Sequence, residues 1–194
     1  KPPGTVTLIA SSGCALPELA IPLSDPLADR TPIQHATYHA LKSGVTPELC
    51  LKISSKLRTK ADIPLVFMTY YNPVFRDGRS AFCKDCAVAG ISGLIIPDLP
   101  PEEGTELENI SLKNELDLIY LLAPTSTGER ISMVADRSRG FIYIVSMTGV
   151  TGSRDRLPRG LESFVSKVRR RTSLPLCVGF GISNPEQAKR VAKV

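Results

Sequence analysis

Three carboxylates stand close together near the start of the chain: Glu18, Asp25 and Asp29. Residues 16–21 form a short apolar run broken by Glu18, and strand alternation puts Leu16, Glu18 and Ala20 on one face. A carboxylate on a strand otherwise built for burial needs a reason. The chain turns at Pro22 and enters a polar loop, residues 24–29, that carries the other two acids. A strand feeding an acid-rich loop is how α/β enzymes build the mouth of a site, and carboxyls placed there are suited to general acid and base work. The plainer readings are a buried acid at position 18 paired with a lysine or arginine, and a turn-forming or capping aspartate at position 29.

These acids need a scaffold, and the hydrophobic pattern supplies one. Residues 5–9 read either as a β-prone run or as the tail of a helix ahead of Gly13. Residues 33–43 have helical character and stop at Gly44, a C-cap residue. Thr46 caps the next helix, with Pro47 at its first position and Glu48 in its first turn, and that helix runs to about Thr59. Residues 63–70, IPLVFMTY, are an almost continuous apolar run, as expected of a parallel strand buried on both faces. The alternation continues with helix 79–89, strand 93–97, helix 102–114 and strand 118–123. A capping box of Ser126 and Glu129 then opens a helix through Ala135, followed by strand 141–146, helix 161–170 and strand 176–180. Ser183 with Glu186 makes a second capping box. Strands and helices alternating over short connections predict an α/β protein with a parallel sheet, closed into a barrel or wound open.

At 194 residues and 42% hydrophobic composition, the chain can bury a substantial core and is expected to form one domain. No apolar run approaches the roughly 18 residues of a membrane span, and the first residues make a poor secretory signal, so the expectation is a cytoplasmic protein with no membrane partner. The net charge is +5, with a basic run at Lys167, Arg169, Arg170 and Arg171. That run reads as a solvated helix end, and no interleaved aromatics suggest nucleic-acid binding. Five cysteines argue against a disulfide framework. Cys83 and Cys86 form a CxxC inside a helical stretch without a second pair, which favours structural cysteines over zinc or redox chemistry. His35 and His39 stand one helical turn apart without the neighbouring glutamate of an HExxH site, so no metal is expected.

The segment E-L-x-x-P-x-S-D-P-x-A-D from Glu18, followed by P-I-Q, resembles the signature of the tryptophan synthase α subunit. Further matching blocks follow in order: TYYNP (69–73), PDLPPEE (97–103), FIYIVSMTGVTG (141–152) and VGFGIS (178–183). The resemblance implies a (β/α)8 TIM barrel, with the six strands read above as the family's second to seventh and the first and eighth units missing or altered. It implies a lyase of tryptophan biosynthesis that splits indole-3-glycerol phosphate into indole and glyceraldehyde 3-phosphate, without metal or cofactor. Glu18 falls on the proton-shuttling position and is expected to have a raised pKa. Asp29 is expected to stay ionised and hold the indole N–H, and Tyr143 to assist at the glycerol or orient Glu18. Met68, Tyr70, Ile95, Leu122 and Phe180 would line the indole pocket, while Gly152 and Gly181 fall on phosphate-side glycines. Residues 148–159 resemble a mobile lid from which Thr151 would contact Asp29. The implied partner is a β subunit, in a heterotetramer of two α and two β subunits. Where the family has D-G-P after the second acid, this chain has Asp29, Arg30, Thr31 and Pro32, which puts the aim of Asp29 in question. The competing functions are an inactive barrel fragment that only binds a β subunit, a stand-alone lyase of the same substrate, and another phosphate-binding barrel such as a sugar-phosphate isomerase.

Overall fold

Strand and helix alternate through the residues that the computed structural model describes, which are 8–9, 11–24, 31–146, 160–179, 182 and 184–194. Two compact units emerge, Lys1–Leu118 and Ile119–Val194.

In the first unit, strands β1 (Glu18–Ala20), β2 (Leu65–Met68), β3 (Ile91–Ile95) and β4 (Asp117–Ile119) form a sheet in that order, with β4 running one residue past the unit boundary. The β1–β2 and β2–β3 ladders are parallel. Around them come α1 (Thr31–Lys42), α2 (Pro47–Arg58), α3 (Tyr71–Arg76), α4 (Arg79–Val88) and α5 (Thr105–Lys113). Sequence and structure agree closely at the helix ends. The Thr46 hydroxyl accepts from Leu49 N at 3.3 Å with Pro47 in the first turn. Gly44, at φ 77°, closes α1 with paired bonds from Val45 N to Ala40 O (3.0 Å) and from Gly44 N to Leu41 O (2.9 Å). Leu65, Val66 and Phe67 are buried on both faces of β2, as a continuous apolar run requires.

Several boundaries differ from expectation for local reasons. Strand β1 has three residues rather than six, because Pro17 has no N–H to give to the ladder. Pro17 O nevertheless accepts from Val66 N at 3.2 Å, and Ile21 N reaches Met68 O at 2.9 Å. Leu8, Ile9 and Ser11 are helical, which selects the helix-tail reading for that part of residues 5–9. Helix α3 was not expected at all, being short and carrying Pro73. The single helix expected over 102–114 is a 3-10 turn, Pro101–Glu103, and then α5, with Gly104 between them.

In the second unit, β5 (Leu121–Leu122), β6 (Ile142–Val145) and β7 (Leu176–Gly179) form a parallel sheet in that order, with α6 (Gly128–Arg137), α7 (Leu161–Arg169) and α8 (Pro185–Val191). The one strand expected over 118–123 is instead two, β4 and β5. Tyr120 lies between them, its N–H donated to Ser138 Oγ at 3.3 Å and its carbonyl accepting from Tyr143 N at 3.0 Å. Both expected capping boxes move by one residue. Thr127 caps α6, accepting from Arg130 N at 3.2 Å, while Ser126 Oγ turns back to Ala123 N at 3.1 Å. Asn184 caps α8, accepting from Gln187 N at 2.8 Å, and Ser183 lies outside the described residues. Lys167, Arg169, Arg170 and Arg171 are exposed at and beyond the end of α7, the solvated helix end expected of them.

The CxxC pair is structural. Cys83 and Cys86 are fully buried on α4, where the Cys83 thiol meets Ser111 Oγ of α5 at 3.7 Å, and burial pushes both thiols up in pKa. His35 and His39 are exposed on α1. No helix among the described residues is long and apolar enough to cross a membrane.

Candidate active site

In the first unit the ladder registers decide which side chains share a face. Glu18 is level with Val66, and Ala20 with Met68. Val66 is in turn level with Gly93, and Met68 with Ile95. Level partners on parallel strands point the same way, so Glu18, Val66, Met68 and Ile95 stand on one face of the sheet, while Leu19, Phe67 and Leu94 stand on the other. The β2–β3 register shifts between Leu65 and Val66, below the rows that carry Met68 and Ile95, so those rows remain in step.

Glu18 thus shares its face with Met68 and Ile95, two of the residues expected to line the indole pocket. Its surroundings differ from the expectation of burial: Glu18 and Ala20 are exposed, Met68 is half-buried and Ile95 fully buried. Burial deepens from β1 towards β3 because β2 and β3 are flanked by strands on both sides, whereas β1 pairs with β2 alone in this sheet.

Tyr70, which follows β2, is buried with 7% of its surface exposed. The amides of the residues on either side of it are both held by the end of β3 and the residues after it. Thr69 N donates to Ile95 O at 3.0 Å, and Tyr71 N donates to Asp98 Oδ1 at 2.9 Å. The blocks TYYNP and PDLPPEE, far apart in sequence, are joined here. Sequence reasoning missed Asp98; its signal was the capping ability of an aspartate in the loop after a strand.

In the second unit, Tyr143 is level with Leu121 on β5 and Cys177 on β7, and Val145 is level with Gly179. Tyr143, Val145, Leu121, Cys177 and Gly179 therefore share a face, as alternation predicted for Tyr143 and Val145. Tyr143 leans along β7 toward its C-terminal end: a Cβ built on Gly179 would overlap the Tyr143 hydroxyl and ring. The phenol is thereby carried to the end of the strands at which sites form in parallel α/β proteins.

Leu122 does not join it. Its register partner is Ile144, on the opposite and fully buried face with Ile142, whereas Leu121 stands on the Tyr143 face. Adjacent residues of a strand face opposite ways, so one residue separates the two faces here. Asp29, Thr151, Phe180, Gly152 and Gly181 lie outside the described residues, as do Asp25, Arg30 and the lid-like segment 148–159.

The family Tryptophan synthase alpha chain matches residues 3–194. The tryptophan synthase alpha chain of Dehalococcoides mccartyi is 55% identical over 188 residues, which span 97% of this chain and 74% of that protein. That of Chloroflexus aurantiacus is 46% identical over 190 residues, 97% of this chain and 71% of the relative. Among solved structures, tryptophan synthase from Pyrococcus furiosus superposes with a TM-score of 0.90 at 32% identity, covering 98% of this chain and 77% of that one. Mycobacterium tuberculosis tryptophan synthase gives 0.90 at 38% identity, covering 98% and 73%. The α/β fold is that of the TIM-barrel family to which these neighbours belong. By sequence and by fold, the chain belongs to the tryptophan synthase alpha chain family.

Proposed function

We propose that this chain cleaves indole-3-glycerol phosphate to indole and glyceraldehyde 3-phosphate, the α reaction of tryptophan synthase, with Glu18, Asp29 and Tyr143 as its catalytic residues. The observation that carries the reading is the register that sets Glu18, level with Val66, on the same sheet face as Met68 and Ile95, the last residues of β2 and β3. Met68, Tyr70, Ile95, Leu121 and Phe180 hold the indole ring, Thr151 works with Asp29, and Gly152 and Gly181 let backbone amides approach the phosphate.

The reaction breaks the bond between indole C3 and the first glycerol carbon. A proton is delivered to C3, giving a cationic indolenine. The hydroxyl on the glycerol carbon then loses its proton, its oxygen becomes the aldehyde carbonyl, and the electron pair of the broken bond returns to the ring. Glu18 moves the protons, Asp29 balances the charge at the ring nitrogen, and Tyr143 holds the glycerol end. Glu18 is exposed on its strand, and the bicyclic substrate covers the carboxyl when it binds.

The partner is a tryptophan synthase β subunit, and the Pyrococcus furiosus neighbour comes from a complex of two α and two β subunits described as mutually activating. The chain works as a single domain in the cytoplasm. Indole release from the substrate, measured with and without β subunit, tests the reading. Glu18→Gln and Glu18→Asp should each lose on the order of 10²- to 10⁴-fold in kcat while circular dichroism and unfolding stay as in the wild type. Turnover retained in either variant would overturn the role of Glu18. A wild-type chain that activates the β subunit but releases no indole would leave only the binding-partner function.

A further inference from the structure

Helix α3 starts without a cap of its own: Tyr70, in the N-cap position, is extended at φ −90° and ψ 162° and gives no side-chain capping bond. The bond comes from 27 residues further along, where Asp98 Oδ1 accepts from Tyr71 N at 2.9 Å. One residue before Tyr70, Thr69 N is held by Ile95 O at 3.0 Å. The amides of both residues that flank Tyr70 are therefore fixed to β3 and its following loop, Thr69 N by the last carbonyl of β3 and Tyr71 N by a single exposed carboxylate. Tyr70 itself is buried, and Ile95 and Met68, at the ends of the same two strands, share the face of Glu18.

We propose that Asp98 is a positioning residue for the lyase reaction: by clamping Tyr71 N it fixes Tyr70 at the substrate end of β2 and β3, so that the tyrosine meets the indole ring in one orientation. The inference rests on the function proposed above. An aspartate that only capped a short helix would contribute to stability alone, since capping bonds at exposed helix ends act locally. A clamp between two substrate-facing loops acts on substrate binding as well, because small misplacements of positioning groups are costly to a reaction held in one geometry.

Asp98→Ala removes the acceptor, whereas Asp98→Asn keeps an oxygen for Tyr71 N. Thr46→Ala removes a cap of the same kind from α2 and serves as the stability control. Asp98→Ala should raise KM for indole-3-glycerol phosphate roughly tenfold, Asp98→Asn should return it to within about twofold of wild type, and Thr46→Ala should lower the melting temperature with KM unchanged. A KM within twofold of wild type in Asp98→Ala, or an Asp98→Asn variant as impaired as the alanine, would overturn the clamp. Amide hydrogen exchange at Thr69 and Tyr71 decides it independently of turnover. Faster exchange at both sites in Asp98→Ala and protection in Asp98→Asn support the clamp, and an unchanged Thr69 amide ends it. A wild type that makes no indole removes the lyase reading, while the exchange result still stands on its own.

Discussion

The phenol of Tyr143 occupies the space in which a side chain at residue 179 would begin. Gly179 is level with Val145, two residues beyond Tyr143 on the same face, so the missing Cβ is what lets the ring lean to the C-terminal end of the sheet. Its hydroxyl, ring Cζ and Cε1 all fall within 2.6 Å of the built Cβ, too close for any to remain in place. Gly179→Ala should therefore displace Tyr143 and cost roughly tenfold or more in kcat/KM for indole release. The stability loss it causes should vanish in a Tyr143→Ala background, which a double-mutant cycle of thermal unfolding reads directly. An alanine variant with unaltered kinetics and additive stability effects would show that the tyrosine can sit elsewhere.

The buried thiols give the fold an alkaline limit. Burial, with the charge of Glu48 adding to it, pushes Cys50 up to about 11, and burial raises Cys83 and Cys86 as well. A folded-state pKa above the unfolded one means that the native state keeps its proton longer, so this stability is complete below about pH 9 and is lost as pH rises toward 11. For Cys50 the effect is on the order of 2 to 3 kcal/mol. Urea unfolding should show midpoints falling across that window, and less steeply for Cys50→Ala. Alkylation of the native protein should label the exposed Cys177 well before Cys83 or Cys86. Midpoints that stay level from pH 9 to 11 would contradict the assignment.

Helix α5 ends in the same double-bonded turn as α1, but with Glu115 in the left-handed position where α1 has Gly44. Glu115 has φ 56°, Leu116 N reaches Ser111 O at 2.9 Å, and Glu115 N reaches Leu112 O at 3.2 Å. A side chain in that conformation is strained by about 1 kcal/mol, and the residue is exposed, so nothing packed is lost by removing it. Glu115→Gly should raise stability by about 0.5 to 1 kcal/mol, seen as a melting-temperature increase with kinetics unchanged. A decrease would mean that the glutamate makes a contact worth more than the strain.

The sequence carried most of this architecture because the features that set it are local. Thr46 with Pro47, Gly44, and the apolar run ending in LVFM each act within a few residues, and each appears where periodicity and capping chemistry place it. What escaped was nonlocal. Asp98 caps a helix on another segment, and Tyr120 leaves its expected strand because Ser138, distant in sequence, takes its N–H. The adjacent caps Thr127 and Asn184 were missed for a different reason. Ser126 next to Thr127, and Ser183 next to Asn184, offer nearly equal capping oxygens, and spacing alone does not rank them. At the site, alternation gave the face of Tyr143 correctly, while the exposure of Glu18 depends on which strands flank β1, a property of the sheet and not of the segment.

The reassignment of β5 can be tested by a pair of neighbouring substitutions with opposite signatures. Leu122 is fully buried and level with Ile144, so Leu122→Ala opens a cavity in the core and should cost about 2 to 5 kcal/mol of stability. The folded fraction should keep its KM for indole-3-glycerol phosphate. Leu121 is half-buried and level with Tyr143, so Leu121→Ala leaves less of a void but removes an apolar wall beside the phenol. It should raise KM several-fold at a smaller cost in stability. Urea unfolding and steady-state kinetics on both variants separate the two faces. If Leu122→Ala raised KM and Leu121→Ala did not, the strand would have to be turned over by one residue, and with it the face assigned to Tyr143.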